Sequence, residues 1–402
     1  MIAKIPNIIV SILKKELKIN RSPQHDKKIL VLVVSTAGHG GTEKISILVG
    51  NYLALNAYKI HMIFLDASGS YKDLIHPSIT IHDLACNPIE LNLIHNLRKI
   101  KRLGGLLKVI QPDTIFSNGY YCNCLSVIAR RKYLPKVRLV IRETNLTVTK
   151  CKKKGIRGLL VLQAMKYLYP HASSFIAPTE SVVKDFKKIL HKNISRVSVI
   201  PNFIDTETID IQAQKEILDE KFTTLQKPVI LSAGRLVDQK DYSTALKAIQ
   251  KFLKDHGGSY VILGEGPLEA QLRQEAKDLR IQDHVHFLGF KNNPYPYIKS
   301  SDIFLMSSWV EGFGIVVLES MYLGIPGVFT DFYPAFRTIV KNEVNGIIVP
   351  VGDHKALAEN MKKLVTNPKL YKTIHKNAKL CSVDFKIQKI MPQYEKAIFE
   401  KA

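Results

Sequence analysis

The sequence predicts an α/β protein of two Rossmann-like domains, each built on a doubly wound parallel sheet. Three observations carry that expectation. A length of 402 residues is enough for two cores. Strand-length apolar runs alternate with helical stretches through both halves. Charge also breaks at the midpoint: residues 1–200 hold 32 Lys+Arg against 11 Asp+Glu, whereas residues 201–402 hold 26 against 24. The boundaries that follow are an N-terminal segment at 1–27, domains at 28–205 and 206–383, and a final helix at 384–402.

The first 20 residues place Ile5, Ile8, Ile9, Ile12, Leu13 and Leu17 on one side of a helix and Lys4, Lys14, Lys15 and Lys18 on the other, with Glu16 interrupting the apolar side. Such a helix lies in a membrane interface or packs on its own domain. The run ILVLVVS at 29–35 is a fully buried strand, followed by a glycine-rich turn at 36–43, a helix at 44–56 and a strand at 60–66. Gly40 and Gly41 in that turn suit close backbone approach to a diphosphate, although the spacing is not G-x-G-x-x-G; His39 reads as a loop histidine without a role. Strands at 80–84, 113–117, 137–142 and 173–177 continue the alternation. Basic clusters at 98–102, 130–132 and 150–157 are either solvated faces or, with the N-terminal helix, a surface for anionic lipid.

In the second half, strands are expected at 229–233, 260–263, 284–288, 302–306, 327–330 and 346–350, and helices at 355–365 and 369–381. Chemistry concentrates in SDIFLMSSWVEGFGIVVLESMYLG, residues 301–324, which parses as strand, loop and helix. A loop at the carboxyl end of a buried strand is where open α/β sheets bind ligands, and a new helix offers unpaired N–H groups to phosphate. Glu311 lies beside two glycines, and Glu319 lies inside an apolar helix where an unpaired charge would cost several kcal/mol, roughly. Either carboxylate alone could instead cap the helix or bond a neighbouring backbone group or lysine.

Together, Gly234-Arg235 with Lys240, Gly264-Glu265-Gly266-Pro267, Phe287 to Phe290, the pair Glu311 and Glu319, and Gly346 to Gly352 resemble family 4 of the retaining glycosyltransferases, with its GT-B fold and E-x7-E signature. The first half resembles it through Gly40-Gly41-x-Glu43, Pro112-Asp113 and Pro201 to Asp205. The resemblance implies two domains facing a central cleft, with 28–205 taking the acceptor, 206–383 the nucleotide sugar, and the final helix crossing back to the first domain. By the same resemblance, Arg235 and Lys240 bind the diphosphate, Glu311 contacts the donor sugar and Glu319 holds the ribose hydroxyls. Arg235, Lys240 and Glu311 are the residues it would make catalytic. Backbone N–H groups of Phe313 and Gly314 complete the anion site, and Gly40, Gly41, Gly264, Gly266, Phe290 and Gly312 join the substrate-binding set. Departures fall at Ile315, where relatives often have a polar residue, and at Thr338, where many have glutamate. Arg142-Glu143-Thr144-Asn145 stands where the family often has histidine, which makes Arg142 and Asn145 further substrate-binding candidates.

No Asp-x-Asp occurs in the chain, so the expected reaction needs no metal and no other cofactor, fixed cations taking the metal's place. The expected donor is a UDP-hexose or UDP-N-acetylhexosamine, and the acceptor a lipid-linked glycan of cell-surface polysaccharide or glycoconjugate synthesis. Two rival functions are a nucleotide-sugar isomerising enzyme of the same fold and a basic nucleic-acid-binding protein. The first is opposed by the paired glutamates, the second by the lack of aromatic residues interleaved with the lysines. Five scattered cysteines, no membrane-spanning run and no signal peptide lead to the expectation of a cytoplasmic protein, peripheral on the inner face of the cell membrane.

Overall fold

In the computed structural model, residues 27–400 are described apart from 39, 88–92, 153–154, 191–195 and 333. The amphipathic segment read at 1–20, His39, and Lys153 and Lys154 of the third basic cluster lie outside the described residues. The chain forms two compact units. One runs to Asn202 and takes in Ile390 onward; the other is Phe203–Lys389.

The first unit contains β1 (Ile29–Thr36), α1 (Gly41–Leu55), β2 (Lys59–Asp66), β3 (Thr80–Asp83), α2 (Leu93–Ile110), β4 (Thr114–Asn118), α3 (Tyr120–Tyr133), β5 (Arg138–Arg142), α4 (Thr147–Lys152), α5 (Gly155–Leu168), β6 (Ser174–Ala177), α6 (Glu180–Leu190) and β7 (Val197–Val199). Its seven strands are parallel, in the order β3-β2-β1-β4-β5-β6-β7. Helices cover both faces, and β1 accordingly buries five consecutive residues from Leu30 to Val34. β7 was not expected: three residues at a sheet edge, only partly buried, leave no run to read.

The second unit contains α7 (Thr206–Gln212), α8 (Glu220–Thr223), β8 (Val229–Ala233), α9 (Tyr242–Leu253), β9 (Ser259–Leu263), α10 (Glu269–Asp278), β10 (Val285–Gly289), α11 (Tyr295–Lys299), β11 (Ile303–Met306), α12 (Ile315–Tyr322), β12 (Gly327–Thr330), β13 (Ile347–Val349), α13 (His354–Thr366) and α14 (Pro368–Ser382). Its sheet is also parallel, ordered β10-β9-β8-β11-β12-β13. Asp205 caps α7, its carboxylate accepting from the Thr208 N–H at 3.2 Å.

Each sheet therefore reverses its strand order once, between β1 and β4 and between β8 and β11. At such a reversal the loops leaving the two strands diverge and open a crevice at the carboxyl edge. The last helix, α15 (Ile387–Phe399), ends within the first unit. There Arg138 on β5 donates to the carbonyls of Ile398 and Ala397 at 2.9 and 3.0 Å, and Tyr58 stacks on Phe399 with ring centroids 4.3 Å apart.

Candidate active site

The reversal in the second unit gathers most of the sequence-predicted residues. The loop after β8 carries Gly234 and Arg235 and ends in a single 3₁₀ turn, Asp238–Lys240. The loop after β11 runs from Ser307 to Gly314. Several hydrogen bonds bind the two loops: the Ser307 hydroxyl donates to the Lys240 carbonyl at 2.9 Å, the Trp309 N–H to the Gln239 carbonyl at 3.1 Å, and the Trp309 indole N–H to the Asp238 carbonyl at 3.0 Å. Thr330, at the end of β12, fixes the second loop from beneath by donating to the Ser308 carbonyl at 2.6 Å. The protein's own hydrogen bonds thus join the two loops without a ligand.

On it, Lys240 Nζ lies 2.7 Å from Glu311 Oε1, and the Ser308 hydroxyl donates to the same oxygen at 3.1 Å. The two charged side chains are only 17% and 11% exposed, so each is the main counter-charge that makes the other's burial tolerable. Lys240 therefore carries part of the fold as well as any ligand contact. Arg235 differs: it is exposed, and its guanidinium has no hydrogen bond or ion pair with a described residue. It is an uncommitted cation at the mouth of the crevice.

Gly264 and Gly266, expected to touch substrate, act first through the backbone. A Cβ on Gly264 would lie 2.1 Å from the Gly234 carbonyl oxygen, and one on Gly266 would lie 2.4 Å from that of Leu236. The loop after β9 is pressed onto the loop after β8, with the Leu236 N–H donating to the Glu265 carbonyl at 2.9 Å. These glycines set where Arg235 stands. Phe290 belongs to the next layer, its N–H donating to Glu265 Oε1 at 3.2 Å.

Gly312 and Phe313 lead into α12; Phe313 is buried against Phe385, and Gly314 caps the helix with φ +75°. That left-handed conformation costs a residue with a Cβ about 1 kcal/mol, which accounts for glycine there. It turns the first N–H groups of α12 toward the carboxyl edge, where an anion is favoured. Glu319, one turn into α12, is 5% exposed and accepts from the Tyr295 hydroxyl at 3.1 Å. Its charge has the polar partner that the sequence required.

In the first unit, Gly40 and Gly41 sit where α1 begins, at the β1/β4 reversal, and the neighbouring Thr42 hydroxyl lies 2.9 Å from that of Thr144. Asn145 joins this group through the Thr144 hydroxyl at 3.2 Å and accepts from Lys150 Nζ at 3.2 Å. Arg142 is a correction. It is fully buried, donating to the Tyr394 hydroxyl at 2.9 Å, to Asn118 at 3.2 Å and to Asn202. Its fork is spent on the interior of the unit, so it cannot touch a substrate and holds together the strand ends that do the placing.

Beside it, Glu143 is 1% exposed, held by Tyr169, by Asn123 at 2.9 Å and by Thr147 at 3.2 Å. Burial pushes its carboxyl up to about 7, a rise that the hydrogen bonds from Tyr169, Asn123 and Thr147 limit.

Two family models match the chain, "Glycosyltransferase Family 4" over residues 39–208 and "Glycosyl transferases group 1" over residues 214–380. An uncharacterized glycosyltransferase of Methanocaldococcus jannaschii is 30% identical over 282 residues, spanning 68% of this chain and 72% of its own. The chain belongs to the GT-B glycosyltransferases. A Campylobacter jejuni relative, 28% identical over 87% of this chain and 93% of its own, is named N-acetylgalactosamine-N,N'-diacetylbacillosaminyl-diphospho-undecaprenol 4-alpha-N-acetylgalactosaminyltransferase. Among solved structures, the fold matches Anabaena HepE in complex with UDP and glucose, with a TM-score of 0.76 at 19% identity over 92% of this chain and 98% of that one. It also matches WaaG of lipopolysaccharide biosynthesis, with a TM-score of 0.74 at 14% identity over 92% and 100%.

In this glycosyltransferase the sequence missed the residues that hold the site together rather than those that would line it. Trp309, Ser308 and Thr330 fix the Lys240–Glu311 pair, and Tyr295 serves Glu319, yet each lies in a stretch with no local signal for a partner on another strand. Glu143 has no role in the sequence pattern beyond standing next to Arg142; a carboxylate directly after a buried strand is the available clue.

Proposed function

We propose that this glycosyltransferase moves a hexose or N-acetylhexosamine from a UDP-linked donor, with retention at the anomeric carbon, to a polyprenyl-diphosphate-linked glycan in cell-surface polysaccharide or glycoconjugate synthesis. The observation that carries the reading is the crevice at the β8/β11 reversal. Exposed Arg235, the Lys240–Glu311 pair and the start of α12 converge there on one carboxyl edge. A sugar–diphosphate bond breaks with negative charge growing on the departing phosphate. Arg235 and Lys240 are the cations set to meet that charge, and the first N–H groups of α12 add to them. Glu311, released in part from Lys240 as the diphosphate takes up that cation, is then placed to accept from sugar hydroxyls.

The lipid-linked acceptor is supported by the undecaprenol-diphosphate substrate in the name of the Campylobacter relative. The reaction proceeds without metal in this reading, since fixed cations supply the countercharge. It takes place at the inner face of the cell membrane, where the basic first half meets anionic lipid rather than nucleic acid. No helix among the described residues is long and apolar enough to cross a membrane.

The test is incubation of the full chain with a panel of labelled nucleotide sugars and short polyprenyl-diphosphate glycans, with and without EDTA. The expected result is one UDP-sugar consumed, an axial or equatorial product linkage that matches the donor's, and a rate indifferent to EDTA. Inverted product, an altered free donor in place of a new glycosidic bond, or an absolute divalent-metal requirement would each overturn the corresponding part.

A further inference from the structure

We infer that α5 carries a docking ridge for an anionic lipid bilayer, with Ile156, Leu159, Leu160 and Tyr167 entering the interface and the cations around them meeting lipid phosphates. The inference rests on the membrane-borne acceptor proposed above and adds the element that holds the enzyme to that membrane.

The helix is apolar on two sides. Its inner side buries Gly158, Leu162 and Met165, as a helix covering a sheet should. Gly158 is so close to α4 that a Cβ would lie 1.8 Å from the Cys151 carbonyl oxygen. Its outer side leaves Ile156 79%, Leu159 55%, Leu160 66% and Tyr167 71% exposed. At 3.6 residues per turn these four fall within a sector of about 100°, a strip along the helix that exposed Gln163 interrupts between Leu160 and Tyr167. A helix that faces water on one side needs no such strip, and large apolar side chains exposed together on one sector mark a contact with something apolar.

Charge identifies the occupant. From residue 144 to residue 179 the chain has no Asp or Glu, and in that span stand Lys150, Lys152, Lys153, Lys154, Arg157 and Lys166. Arg157 and Lys166 are exposed at the margins of the strip, and Lys152 is exposed at the end of α4. The helices flanking α5 add Arg130 to Lys132 in the last turn of α3, and Lys187 and Lys188 in the last turn of α6. The nearby acids are largely withdrawn: Glu143 is buried, and Asp185 is buried and bonded to Thr149 and Lys188, leaving Glu180 as the exposed acid of α6.

An apolar strip edged by cations, with a tyrosine at one end, is the pattern of an interfacial membrane helix. Nucleic acid would use the cations but would gain nothing from Ile156, Leu159 and Leu160. A second copy would bring the same cations face to face in an isologous contact. The first turn of α5 follows α4 and Asn145 from the carboxyl end of β5, so the ridge starts on the edge of the sheet where ligands are held.

The test uses the full chain and sucrose-loaded vesicles of phosphatidylglycerol with phosphatidylcholine, or of phosphatidylcholine alone. The expected result is binding to the anionic vesicles only, weakened at least about tenfold in the variant Ile156→Ser/Leu159→Ser/Leu160→Ser. Thermal unfolding and turnover on a short-chain, water-soluble acceptor should be unchanged in that variant. A separate Leu160→Trp variant should lose fluorescence to brominated lipid well beyond the parent's Trp309 background. Should the triple variant unfold early, Leu160→Lys alone replaces it.

Binding of the serine variant within twofold of the parent, or an introduced indole that brominated lipid does not quench, overturns the ridge while leaving the membrane-borne acceptor standing. A parent chain that ignores anionic vesicles removes both. Self-association of the parent that the serine substitutions abolish makes a second copy the occupant and also overturns the inference.

Discussion

The two units use one architecture to opposite ends at the carboxyl edges of their sheets. In the second, the loops after β8 and β11 are joined to each other by backbone and indole hydrogen bonds, and Arg235 stands exposed and uncommitted beside them. In the first, the cation at the end of β5, Arg142, turns inward and joins Asn118, Asn202 and Tyr394. A charged residue at a strand end thus has two possible employments, and the direction of its side chain decides between them. An inward guanidinium spends its donors on stability, whereas an outward one keeps them for a ligand.

The contrast breaks if the two arginines behave alike. Arg142→Ala should lower stability by roughly 3–5 kcal/mol, because it removes a buried cation together with its hydrogen bonds to Tyr394, Asn118 and Asn202. Arg142→Lys should recover little, since an ammonium cannot reach three partners in the guanidinium's fork geometry. Urea unfolding checks both. Arg235→Ala should leave the unfolding midpoint where it is and cut kcat by roughly a hundredfold, about 3 kcal/mol of transition-state stabilisation. An Arg235→Ala chain that unfolds early, or an Arg142→Ala chain that is stable but inactive, would reverse the assignment.

Glu143 sharpens the comparison through pH. Its carboxyl is raised from 4.5 unfolded to about 7 folded, so the folded state holds the proton more tightly. The stability this confers is complete below pH 4.5 and is lost as pH rises toward 7, by roughly 3 kcal/mol. Glu143→Gln should flatten that slope in the first unit, as read by urea midpoints at a series of pH values. A smaller effect is expected at the pair in the second unit. Lys240→Met strands Glu311 largely buried and should cost about 2 kcal/mol, and adding Glu311→Gln should return most of it, a coupling that a double-mutant cycle measures directly.

Much of this fold was legible because parallel strands covered on both faces read as unbroken apolar runs. β8 and β12 were expected at the residues they occupy, and β1, β2, β9 and β11 fell within one residue at either end. The α12 stretch declared itself as well, through glycines placed between a strand and an apolar helix. What the chain does not spell out is orientation and pairing across strands. Arg142 closes a five-residue strand whose last four residues are all buried, so alternation gave no side for it to face. The Lys240–Glu311 pair joins positions 71 residues apart on loops that only the sheet order brings together. Neither Trp309 nor Tyr295 has a neighbour in sequence that announces its bond. The resemblance makes Lys240 a ligand contact, and the structure gives it a second duty in the ion pair with Glu311.

The return of α15 to the first unit bears on the order in which the protein can be made. Tyr394 completes the partners of Arg142, and Ile398 and Ala397 receive Arg138, so the first sheet lacks part of its surroundings until residues 394–398 have left the ribosome. Domains usually fold as their sequence emerges, N-terminal first. Here the unit that is synthesised first must wait for residues 387–399, and its partly closed core is exposed to chaperones and proteases for the length of the second unit's translation. Residues 387–399 consequently act on the first unit as a delayed closing step, so a nonsense codon or a frameshift shortly before residue 387 would damage the first unit.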